Sequence, residues 1–147
     1  MARYIVESCP TKKPVRNMVT LGAPHKGVGS IPHCFYGYIC DAINSVAKSL
    51  VYYPLVQDWC GPCGYFRDPD ALEDYLYYSA FLPSLNNERD SKVKKENAER
   101  FSELNKALLI KFSEDSMVFP PESAWFWELQ SDNTVLPIEK TDFYSTN

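Results

Sequence analysis

The sequence predicts an α/β fold, and three observations carry that expectation. A short apolar strand, Val15 to Leu21, stands near the start. A second apolar run, Ala107 to Ile110, stands in the last third and is followed at once by acidic residues. The long stretch between them is patterned for helices. Two parallel strands need a crossover, but about a dozen residues suffice. So long a connection builds something of its own, and lids over active sites are the commonest use of such an insertion. The expected organisation is core strand and rim loop over 1–30, helical lid insertion over 31–90, and core helix and strand over 91–147.

Each element has its own signal. Pro10 to Pro14 is a turn, and Val15 to Leu21 reads as a mostly buried strand. The segment Gly22 to Gly27 breaks that strand sharply into a loop. Ile39, Ile43, Val46 and Leu50 recur at helical spacing, with breaks at Pro54 and at Gly61-Pro62. Asp68-Pro69-Asp70 is a good helix start, and Leu72, Tyr75, Tyr78 and Phe81 then fall on one face. Ser91 to Lys106 reads as a charged amphipathic helix with Val93, Phe101, Leu104 and Leu108 inward. The tail is aromatic, and Val135 to Ile138 is an edge strand because it contains Pro137.

Composition narrows the partners. A net charge of −4 argues against nucleic acid, because no excess of cations exists to displace counterions. No apolar stretch approaches a membrane span, and Met1 to Val6 has no signal-peptide apolar core. Cysteine usage points the other way. Of the five cysteines, Cys34 with Cys40 and Cys60 with Cys63 form local pairs, and Cys9 is left over. Local pairs favour a disulfide-permissive compartment, and an odd cysteine suggests a partner elsewhere; five reduced thiols is the alternative.

The chemistry concentrates at Lys111-Phe112-Ser113-Glu114-Asp115-Ser116. A strand followed by a carboxylate is how an α/β-hydrolase fold presents its catalytic acid, in the chain order Ser, acid, His. No nucleophile motif precedes Asp115, and both histidines, His25 and His33, lie upstream of it. The alternative for Asp115 is a surface acid capping a turn that begins at Ser116. The loop Gly22 to Gly27 reads as an active-site rim with a structural His25. Gly27-Val28-Gly29-Ser30 is too sparse for a phosphate loop, and no histidine sits at metal-ligand spacing. No metal or cofactor is implied. Trp59-Cys60-Gly61-Pro62-Cys63 spells the thioredoxin signature. That chemistry needs the first thiol after a strand and at a helix N-terminus. Here the preceding residues belong to the helical insertion, so a structural disulfide or two idle thiols is expected. A thiol–disulfide oxidoreductase using Cys60 and Cys63 is the rival function.

Taken together these residues resemble the palmitoyl-protein thioesterases, lysosomal α/β-hydrolases that remove fatty acyl groups from cysteine. The similarity runs from Arg3 to Tyr144. It rests on Val15 to Val28, Ile31 to Asp41, Leu55 to Gln57, Phe81 to Arg89, and Phe112 to Val118 with Glu122 to Phe126, all in collinear order. The resemblance implies a partial α/β-hydrolase, the C-terminal part of the sheet with a helical lid insertion. It implies that Asp115 is the acid of a Ser-Asp-His hydrolase and that Cys34 and Cys40 are bonded. Cys9 would pair with a cysteine upstream of this chain. Tyr52, Tyr53, Leu55, Tyr75, Tyr78 and Phe81 are the lid candidates for substrate binding. The partners implied are S-acylated proteins or peptides and their long acyl chain, with no cofactor and no membrane span. The full-length parent is expected in the lysosome or secretory pathway. The family's Gly-x-Ser-x-Gly elbow and its histidine would lie outside this chain, which is therefore expected to be inactive alone. A non-catalytic lipid-binding or interaction protein is the remaining alternative.

Overall fold

The computed structural model describes residues 1–11, 13–33, 37–89, 94–141 and 144. Strand β1 (Asn17–Leu21) pairs in parallel with β2 (Lys106–Ile110), in the register Asn17 to Lys106 through Leu21 to Ile110. Both strands therefore end at the same edge. Gly22 extends the ladder by one bond, its N–H donating to the Ile110 carbonyl at 2.8 Å. A second ladder joins β3 (Glu128–Leu129) to β4 (Val135–Leu136), antiparallel. The expected edge strand stops at Leu136 because Pro137 has no N–H to give a ladder.

β1 is not mostly buried, as its apolar run suggested. Met18 and Thr20 face the packed side, while Val19 and Leu21 are 58% and 62% exposed. A strand sends alternate side chains to opposite faces, so an apolar run buries fully only when both faces are covered.

Helix α1 (Ala2–Ser8), which the sequence did not signal, packs against α6 (Lys94–Ser102). Its buried residues are Arg3, Val6 and Glu7, so an ion pair shares the face with one apolar side chain. Arg3 Nε and Glu7 Oε1 pair at 2.5 Å across one helical turn. Arg3 also donates to Asn86 Oδ1 at 2.6 Å and to the Leu85 carbonyl at 2.8 Å, and its guanidinium lies 4.8 Å from the Phe126 ring centroid. Burial draws the Arg3 pKa down and pushes the Glu7 carboxyl up, each against the attraction of the other. The described part of α6 ends at Ser102, whose hydroxyl donates to the Glu99 carbonyl. Leu104 thus falls in the link to β2, Leu108 is exposed, and Val93 lies outside the described residues.

Between the strands run α2 (Tyr38–Leu50), α3 (Pro54–Trp59), a 3₁₀ turn Gly61–Tyr65, α4 (Leu72–Tyr78) and α5 (Leu82–Leu85). The stripe Ile39, Ile43, Val46, Leu50 does form a helix, α2, but all four side chains are exposed. α4 is shorter than the expected Asp68 to Phe81. Asp68 Oδ1 accepts from the Asp70 N–H at 3.1 Å, an Asx turn, and both carboxylates hold Lys48 Nζ at 2.9 Å. Asp68 therefore closes its own turn rather than capping a helix. Of the expected apolar face only Tyr75 is fully buried. The core is Val51, Tyr52, Phe66, Tyr75 and Leu82, with Val28, Cys63, Tyr65 and Phe81 packed on it. Burying each such side chain contributes roughly 1.5–3 kcal/mol. Among the described residues no helix is long and apolar enough to cross a membrane.

Candidate functional site

The site begins where the parallel strands end. In open α/β sheets ligands bind beyond the carboxyl ends of the strands, where loops diverge. Gly22 leaves β1 with φ +55°, and a Cβ there would meet the Phe112 ring at 2.8 Å and Asp115 Oδ2 at 3.4 Å. Only glycine fits both the backbone and the space. The glycine that sequence reading placed on a rim therefore lets the acid turn close over β1.

Asp115 is held by that turn. Its Oδ1 accepts the N–H groups of Met117 at 2.8 Å and Val118 at 2.9 Å. The turn-capping alternative is thus part of the geometry. Among the described residues nothing hydrogen-bonds Oδ2, the oxygen directed at Gly22. A carboxylate fixed through one oxygen, with the other open, is equipped to orient a further hydrogen-bond donor.

Met117 and Val118 also line an apolar groove of about 460 Å³. Pro24, Val28 and Ile31 of the rim loop form one wall. Ala47, Val51 and Val56 of the lid, with Cys60, Cys63 and Phe66, form the other. The volume lies within the range of small-ligand sites. The walls are laced together by backbone bonds. Val28 N–H donates to the Tyr65 carbonyl, and Arg67 N–H to the Val28 carbonyl, each at 2.9 Å. Gly29 N–H donates to the Phe119 carbonyl at 2.8 Å and His33 N–H to the Ser116 carbonyl at 3.0 Å.

The lid candidates lie elsewhere. Tyr52 and Tyr75 are core residues, and Tyr53, Leu55 and Tyr78 are exposed. Phe81 is half-buried beside Tyr65, their ring centroids 5.1 Å apart. None of these six lines the groove. Cys60 and Cys63 are disulfide-bonded. They follow α3 and open a 3₁₀ turn, so the strand that thioredoxin chemistry requires is not there. Cys40 is disulfide-bonded and Cys9 is free, while Cys34 lies outside the described residues.

His25 is buried. It shares a 2.9 Å hydrogen bond with Thr20 Oγ1 and stacks on Phe126 with centroids 4.6 Å apart. Burial, and then the Arg3 charge, push its pKa down from 6.5 to about 3. It is a neutral structural histidine. His33 is exposed.

Sequence reading missed a buried charge network behind the site. Lys26 Nζ meets Glu88 Oε1 at 2.5 Å and Glu128 Oε2 at 3.3 Å. Arg67 Nη2 meets Glu128 Oε1 at 2.6 Å, and the Tyr75 hydroxyl donates to Glu88 Oε2 at 2.5 Å. Burial pushes the Glu128 carboxyl up, but Arg67 and Lys26 outweigh it and hold the pKa below its ordinary value. Burial first, and the Glu88 charge second, raise the Tyr75 pKa well above its ordinary value. The available signal was a lysine inside a glycine-bounded loop, between His25 and Gly27. Among the described residues no cluster of metal-binding side chains occurs.

Comparison with known proteins adds the lineage. The family model described as palmitoyl protein thioesterase matches residues 1–147. Palmitoyl-protein thioesterase 1 of Caenorhabditis elegans is 33% identical over 146 residues, covering 97% of this chain and 48% of that protein. A palmitoyl-protein thioesterase-dolichyl pyrophosphate phosphatase fusion of Schizosaccharomyces pombe is 31% identical over 146 residues, covering 96% of this chain and 23% of that protein. The lysosomal thioesterase PPT2 of Bos taurus is 27% identical over 130 residues, covering 88% of this chain and 42% of that protein. The chain spans about half or less of the length of these curated relatives.

Proposed function

The chain belongs to the palmitoyl-protein thioesterase family, and from that premise we propose that it carries the acid and the acyl groove of a serine thioesterase. The fold in this reading is a partial α/β-hydrolase, with core segments 1–30 and 91–147 on either side of a lid, 31–90. The substrate is a long-chain acyl thioester on a protein cysteine. Serine attacks the thioester carbonyl, histidine moves the proton, and Asp115 orients the histidine and stabilises its positive charge. Two N–H donors hold the tetrahedral oxyanion.

One observation supports the assignment above all. The amides that fix Asp115 Oδ1 belong to Met117 and Val118, and the same two residues line the apolar groove. A thioester whose acyl chain lay along Val28, Val51 and Phe66 would present its reacting end on the side of the groove where Asp115 could hold a histidine between the acid and the substrate. Each buried methylene of such a chain is worth roughly 0.8 kcal/mol, so the groove can dominate affinity. Tyr53, Leu55 and Tyr78 are exposed on the lid, which supports contact with the acylated protein rather than the acyl tail. The relatives named lysosomal thioesterases support a lysosomal parent.

The sequence contains no Gly-x-Ser-x-Gly and no histidine after Asp115, so chain 1–147 alone should match buffer in a palmitoyl-thioester assay. The decisive experiment is a chimera in which this chain replaces its matching segment in the Caenorhabditis elegans relative. Turnover by the chimera should fall roughly 10⁴-fold in kcat on Asp115→Asn, with folding intact. A large loss on Glu114→Gln with little on Asp115→Asn would move the acid by one residue. Binding of a fluorescent long-chain fatty acid by chain 1–147, weakened by Ala47→Glu at the partly buried α2 side of the groove, tests the groove independently of turnover.

A further inference from the structure

The disulfide of the lid does not belong to the acid machinery, yet it stands in the groove wall. Cys60, Pro62 and Cys63 line the apolar groove beside Val56 and Phe66. The other side of the same turn faces solvent: Gly61 and Pro62 are exposed, and Trp59 is 87% exposed. We propose that Cys60–Cys63 is a reversible thiol-modification site, a latch whose reduction by a dithiol loosens the lid-side wall of the groove. The consequence for acyl binding rests on the reading of that groove given above; the latch itself does not.

The outer edge of the turn is open while its inner edge, Cys63 and Gly64, packs toward the core. A Cβ on Gly61 would meet nothing within 4 Å. Beside the disulfide, the turn is held by backbone bonds from Cys60 N–H to the Val56 carbonyl and from Cys63 N–H to the Cys60 carbonyl, each at 2.9 Å, and from Phe66 N–H to the Cys63 carbonyl at 3.0 Å, with a long one from Gln57 Nε2 to the Cys63 carbonyl at 3.4 Å. α3 has six residues and the 3₁₀ turn five, too short to hold their shape unaided. Just past the turn the chain is fastened again, by the bonds of Val28 to Tyr65 and Arg67. Opening the disulfide therefore frees the exposed part of the groove wall, Gly61 and Pro62, between anchored points on either side, with Cys63 still packed against the core. The chemistry balances with one external dithiol. One of its thiolates attacks a cystine sulfur, forms a mixed disulfide and releases the other cysteine. Its second thiolate then closes the reductant's own disulfide and frees the first cysteine, so the protein gains two electrons and two protons.

Hydrogen exchange on oxidised chain 1–147, before and after dithiothreitol, tests the latch directly. A mass gain of two hydrogens, mapped to the peptide holding Cys60 and Cys63, confirms reduction without denaturant. The amides of Cys63 and Phe66 should then exchange on the order of tenfold faster, the scale expected for a disulfide closing so short a loop. Cys60→Ser/Cys63→Ser should show the fast exchange from the start and no further response. That variant also separates this disulfide from the one at Cys40. Unchanged exchange in the reduced protein overturns the proposal, as does an equal response in the double variant or reduction that requires denaturant. Affinity for a fluorescent long-chain fatty acid should weaken in step with exchange. If the oxidised chain binds no such probe while exchange still responds, the acyl reading fails and the latch stands.

Discussion

At the scale of single residues, Gly22 and His25 carry the strongest consequences. Gly22 combines φ +55° with an aromatic ring 2.8 Å from any Cβ. Gly22→Ala should destabilise the chain by about 1–3 kcal/mol, from the left-handed backbone and the clash together. It should also lower chimera turnover, because Asp115 lies against the same atom. Urea melts and kcat check the two halves of that expectation. His25 titrates near 6.5 when unfolded but at about 3 when folded. Between those values the unfolded chain binds a proton that the native chain does not. Its contribution is therefore fully present above about pH 6.5 and is lost as pH falls toward 3. The slope for one proton is about 1.4 kcal/mol per pH unit. Urea midpoints at pH 7, 6 and 5 should fall in the wild type and fall less in His25→Asn; equal slopes would contradict the assignment.

At the scale of elements, the rim loop, α4, the α5 exit and β3 are joined through Lys26, Tyr75, Glu88, Arg67 and Glu128. Removing one partner of a buried ion pair leaves the others uncompensated, at a cost of about 3–5 kcal/mol. Glu88→Gln should approach that loss, whereas Glu99→Gln, in the exposed 3.9 Å pair with Lys95, should stay within about 0.5 kcal/mol. Chemical denaturation of the two variants side by side decides it. The lowered Glu128 pKa adds to the acid sensitivity, since its stabilisation is present above its unfolded value and is lost as pH falls through the folded one. The elements themselves were readable to different degrees. β1, β2 and α2 follow from apolar runs and helical spacing. α1 does not, because its buried face carries the Arg3–Glu7 pair beside one apolar side chain rather than an apolar stripe. α4 is cut short because Asp68 and Asp70 bind Lys48, a residue of α2.

At the scale of the whole molecule, two groups of exposed apolar side chains bear on association. Val19, Leu21, Leu108 and Ile110 stand on the strands, and Ile39, Ile43, Val46 and Leu50 on α2. Exposed apolar strand surface invites association. Chain 1–147 should self-associate at micromolar concentration in sedimentation velocity, and Val19→Lys with Leu108→Lys should shift it toward monomer. A monodisperse wild-type monomer would contradict this.

The sequence by itself determined what local chemistry and collinear order can carry. These are the two parallel strands with a long crossover, the loop broken by Gly22, an acidic turn beyond the second strand, and the family. They are legible because period, turn residues and motif order act over a few residues at a time. Only the tertiary structure decided which side of each element is covered. It buried Tyr75 and exposed Tyr78, although both sit on one short helix. It lined an apolar groove with Val28, Val51 and Phe66, and it set Lys26 against glutamates far along the chain. The physical reason is common to all of these. Burial and ion pairing depend on which distant segment closes over a side chain, and that choice is settled by packing the whole chain at once.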